Sequence, residues 1–118
     1  MTLTVALKDV DTCYNQWAIG ISNDGRKVYA WGTFGLRIAD AKGTPLGSYP
    51  TPVQPLFSPN TARFALLDGN ELQIIELAAN QVLYQAALSD DSAEYNLAWV
   101  DDDRFIYSDA KTVYVVHF

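Results

Sequence analysis

Apolar residues in this chain come in short runs of four to eight, some alternating with polar residues and some apolar throughout, and no stretch keeps the roughly 3.6-residue period of a helix. The pattern predicts an all-β chain. Strands are expected at 16–21, 26–31, 35–40 and 45–49, then at 53–57, 62–67, 71–77 and 81–88, and finally at 95–100, 104–108 and 112–117. The breaks between them have local causes. Asn23-Asp24-Gly25, Ser58-Pro59-Asn60 and Asp68-Gly69-Asn70 supply residues that fix a turn or tolerate positive φ. Pro50 and Pro52 lack the N–H that a central strand needs, so Tyr49-Pro50-Thr51-Pro52 reads as a connection between larger units.

The strands group into three copies of one pattern. The clearest stretches are Trp17 to Ala30, Gln54 to Leu66 and Asn96 to Tyr107, each an apolar strand, a polar turn, a basic residue and a second apolar strand. Ile21 precedes Phe57 by 36 residues and Phe57 precedes Trp99 by 42, so Phe57 and Trp99 occupy equivalent positions and are expected to be buried. The repeats run over about 14–52, 53–93 and 94–118, within a chain of 118 residues read as one domain. The third repeat ends after three strands, whereas Thr2 to Leu7 forms an apolar run without a repeat of its own. Pairing 2–7 with 112–117, within one chain or between two, would complete three sets of four strands and cover an open edge.

Leu36-Arg37-Ile38-Ala39-Asp40 with the turn Ala41 to Leu46, and Leu72-Gln73-Ile74-Ile75-Glu76-Leu77 with Asn80 to Leu83, resemble the third strand and outgoing turn of a blade in WD-repeat and related β-propeller proteins. The spacing is close to the roughly 40 to 50 residues of a four-stranded blade. The resemblance covers about residues 14–118. It departs from the family in having no Gly-His pair, and in placing Ala39, Ile75 and Val116 where the family has tryptophan. It implies antiparallel four-stranded repeats in a partial, three-blade propeller; a compact β-barrel or sandwich is the alternative. Three blades are fewer than the four to eight that usually close a ring. Segments 64–67 and 113–116 are apolar on both faces, so the outer blades need a cover: a second copy, another protein, or a distorted closure.

Charge narrows the partners. The net charge is −6, which argues against nucleic acid. Residues 1–59 sum to +1 and residues 60–118 to −7. A lone cysteine, Cys13, fits a reducing, cytoplasmic setting; the first residues lack the marks of a secretory signal, and no apolar run is long enough to span a membrane.

Chemistry is sparse, and no cofactor is expected. His117 is the only histidine, the serines lack a GxSxG turn, and Cys13 has no basic neighbour in sequence to activate it. Asp9-Val10-Asp11 opens like a calcium loop, but Tyr14 stands where that loop requires glycine. Asp101-Asp102-Asp103 is read as a solvated turn rather than a cation site.

In a blade arrangement the loops after second and fourth strands share one face. That face would carry Asp9, Asp11, Asp68, Asp90, Asp91, Glu94 and Asp109 against Lys8 and Lys111, together with Trp31, Phe34 and Tyr49. Acids around rigid aromatics suit a basic protein; the alternative for Trp31 and Phe34 is a core position between blades. The expected function is a non-catalytic protein-binding module, an immunity protein or antitoxin that blocks a basic, nuclease-type toxin. The alternative is a half-propeller scaffold that self-associates, with a homodimer as its simplest form.

Overall fold

The computed structural model describes residues 18–33, 35–88, 96–108 and 112–118. Eleven strands are found there, and no helix. The first four are β1 (Ala18–Ile21), β2 (Lys27–Gly32), β3 (Gly35–Asp40) and β4 (Pro45–Tyr49). Four more follow as β5 (Leu56–Phe57), β6 (Arg63–Asp68), β7 (Glu71–Glu76) and β8 (Gln81–Ala87), and the last three are β9 (Asn96–Asp101), β10 (Arg104–Ser108) and β11 (Val113–His117). They pair in chain order into three antiparallel sheets, β1-β2-β3-β4, β5-β6-β7-β8 and β9-β10-β11. Each sheet falls within one sequence repeat. The described strands therefore form separate sheets and not the single closed barrel held open as the alternative. The pairing expected for residues 2–7 lies outside the described residues.

Two predictions need correction. The strand expected at 53–57 shrinks to Leu56–Phe57, because Pro52 and Pro55 interrupt the backbone donors and Val53 instead closes a tight turn onto the Thr51 carbonyl at 3.0 Å. Phe57 and Trp99 are half-buried rather than buried, since each sits on an outer strand of its sheet.

The repeats share a turn down to its hydrogen bonds. In the first, the Ser22 hydroxyl donates to Asp24 Oδ1 at 2.7 Å and accepts from the Lys27 N–H at 3.0 Å, while Asp24 Oδ1 also accepts from the Arg26 N–H at 2.9 Å. In the second, the Ser58 hydroxyl donates to Asn60 Oδ1 at 3.0 Å and accepts from the Arg63 N–H at 3.1 Å, and Asn60 Oδ1 accepts from the Ala62 N–H at 3.0 Å. The residue after the Asp or Asn takes positive φ in both, Gly25 at 73° and Thr61 at 60°. This superposition equates Ile21 with Phe57 and Val28 with Phe64. The third turn is one residue shorter between Trp99 and Phe105, and the difference appears as a bulge between Arg104 and Phe105.

The strands cluster into two compact units, Met1–Gln54 and Pro55–Phe118. In the first, Leu36, Ile38, Tyr29 and Tyr49 are buried. Strand glycines make room for the two rings: a Cβ on Gly20 would collide with the Tyr29 ring, and one on Gly47 would lie 2.8 Å from the Tyr49 ring. In the second unit, Ala65, Leu72, Ile74 and Leu88 pack against Phe105 and Tyr107, so one face of β6-β7 meets one face of β10. Burying each of the large side chains contributes about 1.5 to 3 kcal/mol. The Tyr84 and Tyr107 hydroxyls meet at 2.6 Å, which keeps that packing polar-satisfied at its margin.

Candidate functional site

Of the ten residues assigned to the acidic, aromatic face, Asp9, Asp11, Phe34, Asp90, Asp91, Glu94 and Asp109 lie outside the described residues. Trp31 is half-buried on β2, paired with Ala18 and Leu36. Tyr49 is only 8% exposed, and burial raises its hydroxyl pKa above the ordinary 10.0. It packs its own sheet and does not stand out as a surface anchor, a correction to the expected role. Asp68 is exposed at the end of β6.

The surroundings of Asp68 are informative. It pairs directly with Glu71 across the Gly69-Asn70 turn, which sets two carboxylates on one hairpin tip. Like charges opposite one another cost about 0.2 to 1 kcal/mol. Glu71 accepts a hydrogen bond from Gln85. The turn is also tied to Leu88: the Leu88 N–H donates to the Asn70 carbonyl at 2.6 Å, and Asn70 Nδ2 donates back to the Leu88 carbonyl at 3.2 Å. Leu88 immediately precedes the acidic connection that contains Asp90, Asp91 and Glu94.

Asp101 to Asp103 form a solvent-exposed turn, as expected, and each also makes specific hydrogen bonds. Asp101 takes both the Nε and Nη2 of Arg104, at 2.9 and 2.7 Å. Asp102 accepts from the Asn60 N–H at 2.7 Å, and its carbonyl accepts from Arg63 Nη1 at 2.6 Å. Asp103 pairs with the same Arg63 nitrogen at 3.0 Å, and the Arg63 guanidinium lies 5.2 Å from the centre of the Phe118 ring. The three acids thus turn to different partners: Asp101 stays within the third sheet, while Asp102 and Asp103 join it to Asn60 and Arg63 of the second repeat. Sequence offered no signal for this, because the partners are about forty residues apart. Among the described residues no cluster of His, Cys, Asp or Glu is arranged to hold a metal ion. His117 is exposed on β11, opposite Arg104.

Among the described residues, the exposed apolar side chains include two groups on strand faces. On the outer side of the third sheet a shallow groove of about 190 Å³ runs between Asn96, Ala98, Ile106, Ser108 and Val113. Val113 and Val115 there are 64% and 51% exposed. In the first unit, Ile19 and Ile21 of β1 are 82% and 60% exposed. The two-sided apolar run of 113–116 was the sequence signal for the first of these. Among the described residues no helix is long and apolar enough to cross a membrane.

Solved structures share this arrangement of sheets. The WD40 domain of SCAP from fission yeast superimposes with a TM-score of 0.62 at 11% identity, over 89% of this chain and 33% of that one. Hsv2 of Kluyveromyces lactis with its complete loop 6CD gives 0.59 at 14% identity, over 83% and 40%. KlHsv2 with loop 6CD replaced by a Gly-Ser linker gives 0.62 at 16% identity, over 80% and 36%. The chain spans between a third and two fifths of the length of these structures. No family model matches the sequence, and no curated protein does. The fold is that of WD40-type propeller blades, all-β and WD-repeat-like.

Proposed function

We propose that these WD40-type blades form a non-catalytic, cytoplasmic protein-binding module whose acidic second half holds a basic protein. The observation that carries this reading is the hairpin tip of Asp68 and Glu71, two exposed carboxylates held opposite one another at a cost to folding. Its hydrogen-bonded neighbour Leu88 leads directly into Asp90, Asp91 and Glu94. Carboxylates of an acidic second half can pair with Lys and Arg and speed their approach. An immunity protein or antitoxin is the function that fits: its carboxylates would stand in for the phosphates that a nuclease-type toxin binds in its cationic cleft.

The test is affinity capture from the native cell by the wild-type chain and by a variant carrying Asp68→Asn, Glu71→Gln, Asp90→Asn, Asp91→Asn and Glu94→Gln. A basic protein retained by the wild type at about 0.05 M salt, released at about 0.5 M and lost by the variant, supports the reading. Equal capture by both chains, or loss only when Arg26 and Lys27 are neutralised, refutes it.

A further inference from the structure

We infer that the bond between Asp68 and Gly69 is a modification site, where Asp68 rearranges through a cyclic imide to isoaspartate, while the other Asp-Gly bond of the chain, Asp24-Gly25, is held inert by its turn. The chain has two Asp-Gly pairs, one between β1 and β2 and one where β6 turns into β7. Glycine least obstructs attack by its own nitrogen on the preceding side chain, because it carries no Cβ. At both sites the glycine φ is positive, 73° at Gly25 and 64° at Gly69, and a Cβ there would meet nothing within 4 Å. Local bulk therefore does not separate the two bonds.

Hydrogen bonding does. Asp24 Oδ1 accepts from the Ser22 hydroxyl at 2.7 Å and from the Arg26 N–H at 2.9 Å, and Asp24 Oδ2 lies 3.9 Å from Arg26 Nε. The Gly25 N–H, whose nitrogen would attack, donates to the Ser22 carbonyl at 2.9 Å. Both reacting groups are engaged elsewhere, and they can meet only by opening a turn closed on the buried Ser22. Asp68 is exposed, and among the described residues its carboxyl has no hydrogen bond or ion pair. The Gly69 N–H donates no bond there either. The bonds that fix this tip run between Asn70 and Leu88 and leave both reacting groups out. The carboxyl can therefore swing onto the nitrogen. In the reaction the Gly69 nitrogen bonds to Asp68 Cγ, and its hydrogen leaves with the carboxyl OH as water. The imide then takes up water at either carbonyl. Opening at Cγ returns aspartate, and opening at the main-chain carbon leaves isoaspartate, whose chain runs through Cβ and Cγ and whose α-carboxylate is free. Mass is unchanged and no oxidant is needed. The extra backbone atom falls at the Asp68–Glu71 pair, the last rung of β6 and β7, and makes the tip a substrate for a carboxyl methyltransferase that reads isoaspartyl groups. This site does not depend on the basic partner proposed above.

The experiment ages the full chain in neutral buffer, folded or in urea above its unfolding midpoint. Isoaspartate is measured at each site by electron-transfer mass spectrometry of its peptides, and in total by an isoaspartyl methyltransferase with labelled S-adenosylmethionine. In the folded chain Asp68 is expected to react at least about tenfold faster than Asp24, the factor set by the hydrogen bonds that Asp24 and Gly25 must give up. In urea the two sites are expected to react at like rates. Ser22→Ala, with its fold checked by circular dichroism, is expected to raise the rate at Asp24 and leave Asp68 unchanged; the urea comparison stands if that variant unfolds. Equal rates at both sites in the folded chain overturn the inference, as does an Asp68 that stays intact there. So does an excess at Asp68 that persists in urea, which would come from sequence and not from the turn, or a folded Ser22→Ala chain whose Asp24 stays as inert as before.

Discussion

Trp99 Nε1 donates to the Leu56 carbonyl at 2.9 Å, so the first strand of the third sheet is fastened to the first strand of the second. The indole also meets Phe105 edge-on at 5.0 Å and lies 6.0 Å from Phe118. Trp99→Phe keeps most of the ring contact and loses the hydrogen bond, which is expected to cost about 1 kcal/mol. Trp99→Ala is expected to cost about 2 to 3 kcal/mol, below the usual value for a fully buried aromatic because the ring is half-exposed. Urea unfolding measures both. Equal losses for the two variants would mean that the hydrogen bond, not the ring, carries the contact.

The shared turn predicts a pair of effects. At Gly25, φ is 73° and a Cβ would touch nothing within 4 Å, so Gly25→Ala isolates backbone strain and is expected to destabilise by about 1 to 2 kcal/mol. Ser58 is buried and its hydroxyl both donates and accepts, so Ser58→Ala is expected to cost about 1 to 3 kcal/mol by stranding the Arg63 N–H. Thermal melts of the two variants test these values; an unchanged Ser58→Ala would separate the turn's hydrogen bonds from its stability.

Acid should weaken the third sheet through Asp101. Hydrogen bonding from Arg104, then from the Asp103 N–H, lowers its pKa below the ordinary 3.8. A carboxyl with a lower value in the folded state contributes stability above its unfolded value and loses it as pH falls through the folded one. Asp101→Asn is therefore expected to flatten the loss of melting temperature below about pH 4. A wild type and variant with parallel acid profiles would rule this out.

Tyr49 predicts the opposite limb. Burial raises its pKa above 10.0, so the folded chain keeps the proton that the unfolded chain releases. Stability from this group is present below about pH 10 and declines as pH rises beyond it. Tyr49→Phe is expected to reduce alkaline sensitivity, read from melting temperatures between about pH 8 and 11. No change in that slope would show that another group controls it.

Much of the fold was legible because strands and turns are local. Ser22-Asn23-Asp24-Gly25 and Ser58-Pro59-Asn60-Thr61 encode a turn within a few residues, and that turn makes the same hydrogen bonds in both repeats. The apolar run at 113–116 marked a strand that packs on one side and remains open on the other. Strand limits were less secure at 53–57, where prolines removed donors from a segment that looked apolar enough to pair.

The candidate site was less legible because burial and partnership depend on what lies across space. Tyr49 reads in sequence as an aromatic beside a proline-rich loop, yet Gly47 leaves a place for its ring and the sheet takes it inside. Asp101, Asp102 and Asp103 read as three equivalent charges. Arg104 claims the first, while Asn60 and Arg63, from the second repeat, divide the other two. Sequence by itself determined the all-β class, the three repeats and the acidic second half, since these follow from periodicity, turn chemistry and counted charge. Only the tertiary structure decided which acids are locked in internal bonds and which apolar faces stay open, because both are settled by neighbours distant along the chain.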